Sequence, residues 1–180
     1  MVNEPIGFGS AHPRVAVYVE KRPPMPEYAC LEGIQALQPG DIEQINRQCG
    51  NGWRKLFNVY AKLLYALNPV KFAFSLQAPD WQHYRDAHLL QGLDETALLF
   101  SPPRLIAGED TIHLVAGRTW ARRCLAEGLA CQLHWLDEAF AIAPDARVLV
   151  SPYFDYRQLN NEKIVRLAAL MSELPDAPGV

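Results

Sequence analysis

Residues 111–136 read TIHLVAG, then RTWARRCLAEG, then LACQLHWL. The first run is short, apolar and rich in β-branched residues, as a strand covered on both faces requires, and Gly117 ends it where the chain must turn sharply. A helix is expected next. Thr119 can cap it, Trp120, Cys124 and Leu125 recur at helical spacing, and Gly128 offers a left-handed exit. Gln132–Leu136 then starts a second strand. Strand, helix and strand in this order imply a right-handed crossover between parallel neighbours. The expected class is therefore α/β, a three-layer sandwich with a mainly parallel sheet of four or five strands.

Other runs extend this unit. Arg14–Glu20 (RVAVYVE), Thr96–Phe100 (TALLF) and Arg147–Val150 (RVLV) read as buried strands, each closed by proline-rich or polar residues. Asp41 with Gln44 makes a capping-box pattern ahead of Ile42, Ile45 and Cys49; Gly50-Asn51-Gly52 interrupts that helix. Trp53, Leu56, Phe57, Tyr60, Leu63, Leu64 and Leu67 then mark the clearest amphipathic helix, whose aromatic stripe reads as a core face. Lys71–Leu76 fits a strand or a helical turn. Asp80 can start a helix over WQHYRDAHLLQ, and Asn160 or Asn161 can cap a final helix stopped by Pro175. Residues 1–13 are expected to be an irregular lead-in, and 175–180 to fray.

The chain has 180 residues, 49% hydrophobic, which suits one domain with a sizeable core. Seventeen Lys and Arg against 20 Asp and Glu give a formal charge of -3, so no global field draws the chain to nucleic acid or to an anionic membrane. Cys30, Cys49, Cys124 and Cys131 form no C-x-x-C pair, and neither zinc nor a disulfide framework is indicated. His83 and Asp86, one helical turn apart, lack a third ligand, so no metal is expected, and no cofactor motif occurs. With no apolar run of membrane-spanning length and no leader-like N-terminus, a cytoplasmic protein is expected.

In a parallel α/β sheet the loops after the strands share one edge, where ligands bind. Three are polar: Glu20–Tyr28 with Arg22, Gly117–Thr119 with Arg118, and Ser151–Asn161 with Tyr153, Asp155, Tyr156, Arg157 and Asn160. Gly117 permits close approach to a helix N-terminus at Arg118 and Thr119, which suits phosphate or carboxylate. The third loop suits a planar hydrogen-bonding ligand, or a protein interface. G-x-S-x-G is absent, Cys124 is on a packed helix face, and His113 and His134 lie inside strands, where satisfied core histidines are usual. Glu20 and Asp155 are the carboxylates placed to orient a water.

The order LVAG-R-T-W-A, helix, short strand, then RVLVSPYFDYRQLNNEKI resembles the C-terminal half of the uracil-DNA glycosylase superfamily. There a strand ends in glycine before a helix, and the last strand runs into a DNA-contacting H-P-S type loop before the final helix. Ser151, Pro152 and Tyr153 stand at that loop here. Val19-Glu20-Lys21-Arg22-Pro23 corresponds to the family's water-activating segment, with Pro23 matching and neither its glycine nor its acid in place. The resemblance implies a similar fold and does not carry over the glycosylase reaction. The whole chain resembles uncharacterised bacterial families of that architecture.

The leading expectation is a binding domain, with little or no catalysis, for a nucleobase, nucleotide or nucleic-acid end at the shared strand edge. The ligand would meet Arg22, Gly117, Arg118, Thr119, Tyr153, Arg157 and Asn160. One rival is a divergent base-excising hydrolase using Glu20 or Asp155. The other is an interaction protein forming a homodimer through the aromatic helix or the 151–161 loop.

Overall fold

The computed structural model describes residues 4–176. Its strands are β1 (Gly7–Gly9), β2 (Val15–Tyr18), β3 (Ile34–Gln35), β4 (Thr96–Leu99), β5 (Ile112–Ala116), β6 (His134–Trp135), β7 (Ala141–Ala143) and β8 (Val148–Ser151). Its helices are α1 (Pro26–Ala29), α2 (Asp41–Cys49), α3 (Asn51–Ala66), α4 (Trp81–Ala87), α5 (Arg118–Ala126) and α6 (Asn161–Glu173). All eight strands join one sheet in the order β3-β1-β4-β2-β5-β8-β7-β6, where four or five were expected. The parallel quartet β4-β2-β5-β8 at its centre is made of the four runs that read as buried strands.

Alternation divides the quartet between two cores. Val15, Val17, Leu98, Ile112, Leu114 and Leu149 face one side, where α3 and α6 bring Phe57, Tyr60, Leu63, Leu64, Ile164 and Leu167. Ala16, Tyr18, Ala97, Leu99, Val115, Val148 and Val150 face the other, where α5 brings Trp120, Ala121 and Cys124. Tyr60 is fully buried and its hydroxyl donates to the carbonyl of Ala97 at 2.8 Å, so the long helix is hydrogen-bonded to the sheet as well as packed on it. Among the described residues no helix is long and apolar enough to cross a membrane.

The lead-in is not irregular throughout, because residues 7–9 form β1, antiparallel to β4. Phe8 is fully buried, edge-on to Tyr28 and Phe100, with ring centroids 4.8 and 5.2 Å away. The flanking glycines let the backbone sit against β4: a Cβ on Gly9 would lie 2.2 Å from the Thr96 carbonyl oxygen. The capping expectations shift by a residue or two. Gly117, not Thr119, precedes α5, and Gly40 precedes α2 while the Asp41 carboxylate accepts from the amide of Gln38 at 2.7 Å. Residues 73–76 form a 3-10 turn, and α4 stops at Ala87.

The expected strand at 132–136 shortens to β6 and is not the parallel neighbour of β5. It pairs antiparallel with β7, and the crossover through α5 delivers the chain to β8 two elements later. Asp137 explains the reversal: its carboxylate accepts the amides of Ala139 and Phe140 at 2.7 and 2.8 Å, closing a hairpin that DEAF does not advertise. Of the expected frayed tail, residues 177–180 lie outside the described residues.

Candidate functional site

The connection from β4 to β5 crosses β2 on the α5 side of the sheet, and residues 101–111 contain neither a helix nor a strand. A helix there would have filled the space over β4 and β2. Instead Leu105 packs against the apolar cluster of that face, and a cavity of about 440 Å³ remains between the loop, the N-terminal segment and the sheet. Tyr18, Ile34, Leu99 and His113 line it from the sheet, Ile106, Glu109 and Thr111 from the β4–β5 connection. Glu4 and Arg104 also line it, and pair with each other at 3.5 Å.

Tyr18 and His113 are 3% and 5% exposed, and the Tyr18 hydroxyl lies 2.7 Å from His113 Nδ1. The strand register brings them together: Ala16 pairs with His113 and Tyr18 with Val115, so both rings project from the same face of adjacent strands. Burial, and secondarily the charge of Arg147, holds the His113 imidazole down at about 4, so it is neutral near pH 7. Burial pushes the Tyr18 hydroxyl well above its ordinary range, with the negative charge of Glu109 adding to the effect. A neutral imidazole has one donor nitrogen and one acceptor nitrogen. Either tautomer satisfies this contact, and we assign the Tyr18 hydroxyl as the donor to Nδ1. The His113 proton is thereby assigned to Nε2, which has no partner among the described residues. Half-buried Glu109 likewise makes no ion pair or hydrogen bond through its carboxylate among those residues. The cavity thus presents the His113 N–H and the Glu109 carboxylate, with His12, Glu32 and the Glu4–Arg104 pair on its exposed side.

The strand-end edge forms as the alternation of strands and helices implied, since β2, β5 and β8 are parallel neighbours. Its side chains are mostly committed to structure. Arg22 donates to the carbonyls of Tyr28 and Ala29 at 3.1 and 2.9 Å, fastening α1. The Gly117 amide donates to the carbonyl of Ser151 at 2.8 Å, and Gly117 takes φ 101° at the head of α5. Arg118 lies 5.0 Å over the ring of Trp135, while Thr119 is exposed in the first turn. Tyr153 is 38% exposed, and Arg157 pairs with Asp155 at 3.4 Å. Glu20 pairs with Arg123, and Asp155 also meets Lys55 at 3.6 Å. An amide hydrogen bond from Arg157, with the neighbouring cations, holds the Asp155 carboxyl below the usual range. None of these residues lines the 440 Å³ cavity. Among the described residues no group of three or more His, Cys, Asp or Glu is placed to hold a metal ion, and His83 Nδ1 lies 2.7 Å from the helix-capping Asp80 carboxylate.

Asn160 Oδ1 accepts from the amide of Lys163 at 3.0 Å, capping α6. Asn160→Ala is expected to lower unfolding free energy by about 1 kcal/mol, with ligand affinity unchanged. Urea titration and a binding assay on the same variant check both halves.

Tyr18 and His113 were legible singly, as a histidine in an apolar strand and a tyrosine in another, but their meeting depends on a register that spacing does not reveal. The other available signal was the helix-less run SPPRLIAGED (residues 101–110) between two parallel strands.

The model of one protein family, described as a family of unknown function, DUF6942, matches residues 6–172. No curated protein and no solved structure matches the chain.

Proposed function

We propose that the chain, which belongs to the DUF6942 family of unknown function, is a binding domain for a small planar nitrogen heterocycle of the nucleobase class. The ligand occupies the cavity over Tyr18 and His113. The observation that carries this reading is the buried imidazole of His113, fixed at Nδ1 by Tyr18 and lining a 440 Å³ cavity with Nε2 unpartnered. A volume of this size, apolar over the larger part of its lining and with polar groups converging on it, suits a small organic ligand. His113 Nε2–H asks for a ring-nitrogen or carbonyl acceptor, and the Glu109 carboxylate asks for an N–H donor. A heterocycle bearing an amino group satisfies both.

Binding fits these groups better than catalysis. A general acid or base works best with its pKa near the operating pH, whereas burial drives His113 down and Tyr18 up, away from neutrality. Both therefore serve as fixed hydrogen-bonding groups. The base-excising alternative would rest on Glu20 or Asp155, and both carboxylates are held in ion pairs outside the cavity.

A thermal-shift panel of adenine, cytosine, uracil and hypoxanthine tests the reading, because a ligand that binds only the folded state raises Tm by mass action. Adenine or cytosine should stabilise more than the oxo-substituted pair. Glu109→Gln, whose amide can donate, should narrow that preference by roughly tenfold in affinity, as expected for loss of a charge-assisted hydrogen bond. No shift from any of the four would overturn the ligand class.

A further inference from the structure

A second surface lies on the opposite side of the sheet from the cavity, on the outward face of α3, and it differs from the rest of the molecule in charge. Asn51, Arg54, Lys55, Asn58, Lys62 and, from the β8–α6 loop, Tyr156 border an open groove of about 300 Å³, whose lining contains no carboxylate. The whole chain carries a formal charge of -3, so three cations gathered here run against the average. Arg54 and Lys62 have no acidic partner within 4 Å among the described residues, while Lys55 meets Asp155 at 3.6 Å.

The cations are also ordered. Lys55 Nζ sits 5.0 Å over the ring of Tyr156, and Lys62 Nζ sits 5.0 Å over the ring of Trp81. Arg85 lies 5.4 Å over the same Trp81 ring and donates to Asn58 Oδ1 at 2.7 Å. Long basic side chains ordinarily lose conformational freedom when they grip an anion. Resting on aromatic rings, these two lysines have already lost part of it.

Spacing decides the kind of anion. Lys55 and Lys62 are seven residues apart on one helix, a rise of roughly 10 Å. Seated over separate rings, the two ammonium groups match an anion of some length, and a chain of regularly spaced phosphates meets both without either leaving its ring. Tyr156 is 55% exposed and offers ring surface on which a base can stack. Cations tracking a backbone, interleaved with aromatic rings, are the chemistry of single-strand recognition. We infer that the α3 groove, bounded by Arg54, Lys55, Lys62 and Tyr156, binds the phosphodiester backbone of a single-stranded nucleic acid without base preference. The inference does not depend on what fills the cavity beside His113.

The test is fluorescence anisotropy with a labelled oligothymidylate of about 12 nucleotides, within the range one small binding unit covers. If about three phosphates are neutralised, log affinity should fall against log salt with a slope of roughly -2, a loss of about 15-fold between 50 and 200 mM salt. Lys55→Glu with Lys62→Glu should weaken binding by more than about tenfold at the lower salt. The milder Lys55→Gln with Lys62→Gln should weaken it less but measurably, and covers the case in which charge reversal disturbs α3. Arg122→Glu, on the exposed face of α5, should leave the anisotropy curve in place. The inference is overturned if the oligomer does not bind at low salt, or if the lysine variants bind as well as wild type. It is also overturned if Arg122→Glu is the variant that fails, or if a mononucleotide or polyglutamate binds as tightly as the oligomer.

Discussion

Gly9→Ala should be among the most destabilising single-methyl additions in this protein, lowering unfolding free energy by about 3–5 kcal/mol. The new Cβ would lie 2.2 Å from the Thr96 carbonyl oxygen and 2.9 Å from the Ala97 Cα, both backbone atoms of β4 in the parallel core. Neither can move without disturbing the quartet, so β1 must move instead. Gly9 also sits at φ 107°, which adds a further cost of about 1–2 kcal/mol for any residue with a Cβ. When β1 lifts, Phe8 loses its place between Tyr28 and Phe100, and removing a buried phenylalanine costs about 3–5 kcal/mol by itself. For a chain of this size each kcal/mol lowers Tm by about 2–4 °C, so a fall of about 10 °C or more is expected in calorimetry. A fall under about 2 °C would mean that β1 is not held against β4 as described.

His113 should make stability depend on pH in a defined window. Its imidazole is held at about 4 in the folded protein against the ordinary 6.5. Between those values the unfolded chain binds a proton that the folded chain refuses, so acid favours unfolding. The contribution is complete above about pH 6.5 and is lost as pH falls toward 4. It amounts to roughly 3 kcal/mol across the window, at about 1.4 kcal/mol per unit. His113→Phe removes the titrating group while filling similar space, so the difference in unfolding free energy between pH 7 and pH 4 should shrink by about that amount. Chemical denaturation at a series of pH values measures it. Equal slopes for the two proteins would place the imidazole in contact with solvent.

The framework could be read from the chain because it rests on local patterns. VAVY, TALL, IHLVA and VLVS are apolar on both faces, as strands buried in a parallel sheet must be, and all four are strands at the sheet centre. Gly50 separates α2 from α3 where the glycines interrupt the helical period, and Asn160 caps α6. The edges resisted reading because their strands are two or three residues long, too short for any period to show. They are also set by features outside themselves: β1 by glycines that fit β4, and β7 by a hairpin closed through Asp137.

The site was less legible for a related reason. A parallel α/β reading directs attention to the loops after the strands, and the polar residues there, Arg22, Arg118, Arg157 and Asn160 among them, are real but largely engaged in holding loops, rings and helix ends. The cavity arises where a crossover lacks its helix, and its hydrogen-bonding pair joins residues 95 apart in sequence. A buried histidine in a strand is ordinarily satisfied on both sides. Here only Nδ1 is.

If His113 offers Nε2–H to a ligand in the cavity, nitrogen-detected NMR of the imidazole will register it. At pH 7 the ring should be neutral and protonated at Nε2, and adenine or cytosine should shift the Nε2 resonance while Nδ1 stays fixed by Tyr18. A ring protonated at Nδ1, or an Nε2 signal that no heterocycle moves while binding is seen by other means, would rule out His113 as the donor to the ligand.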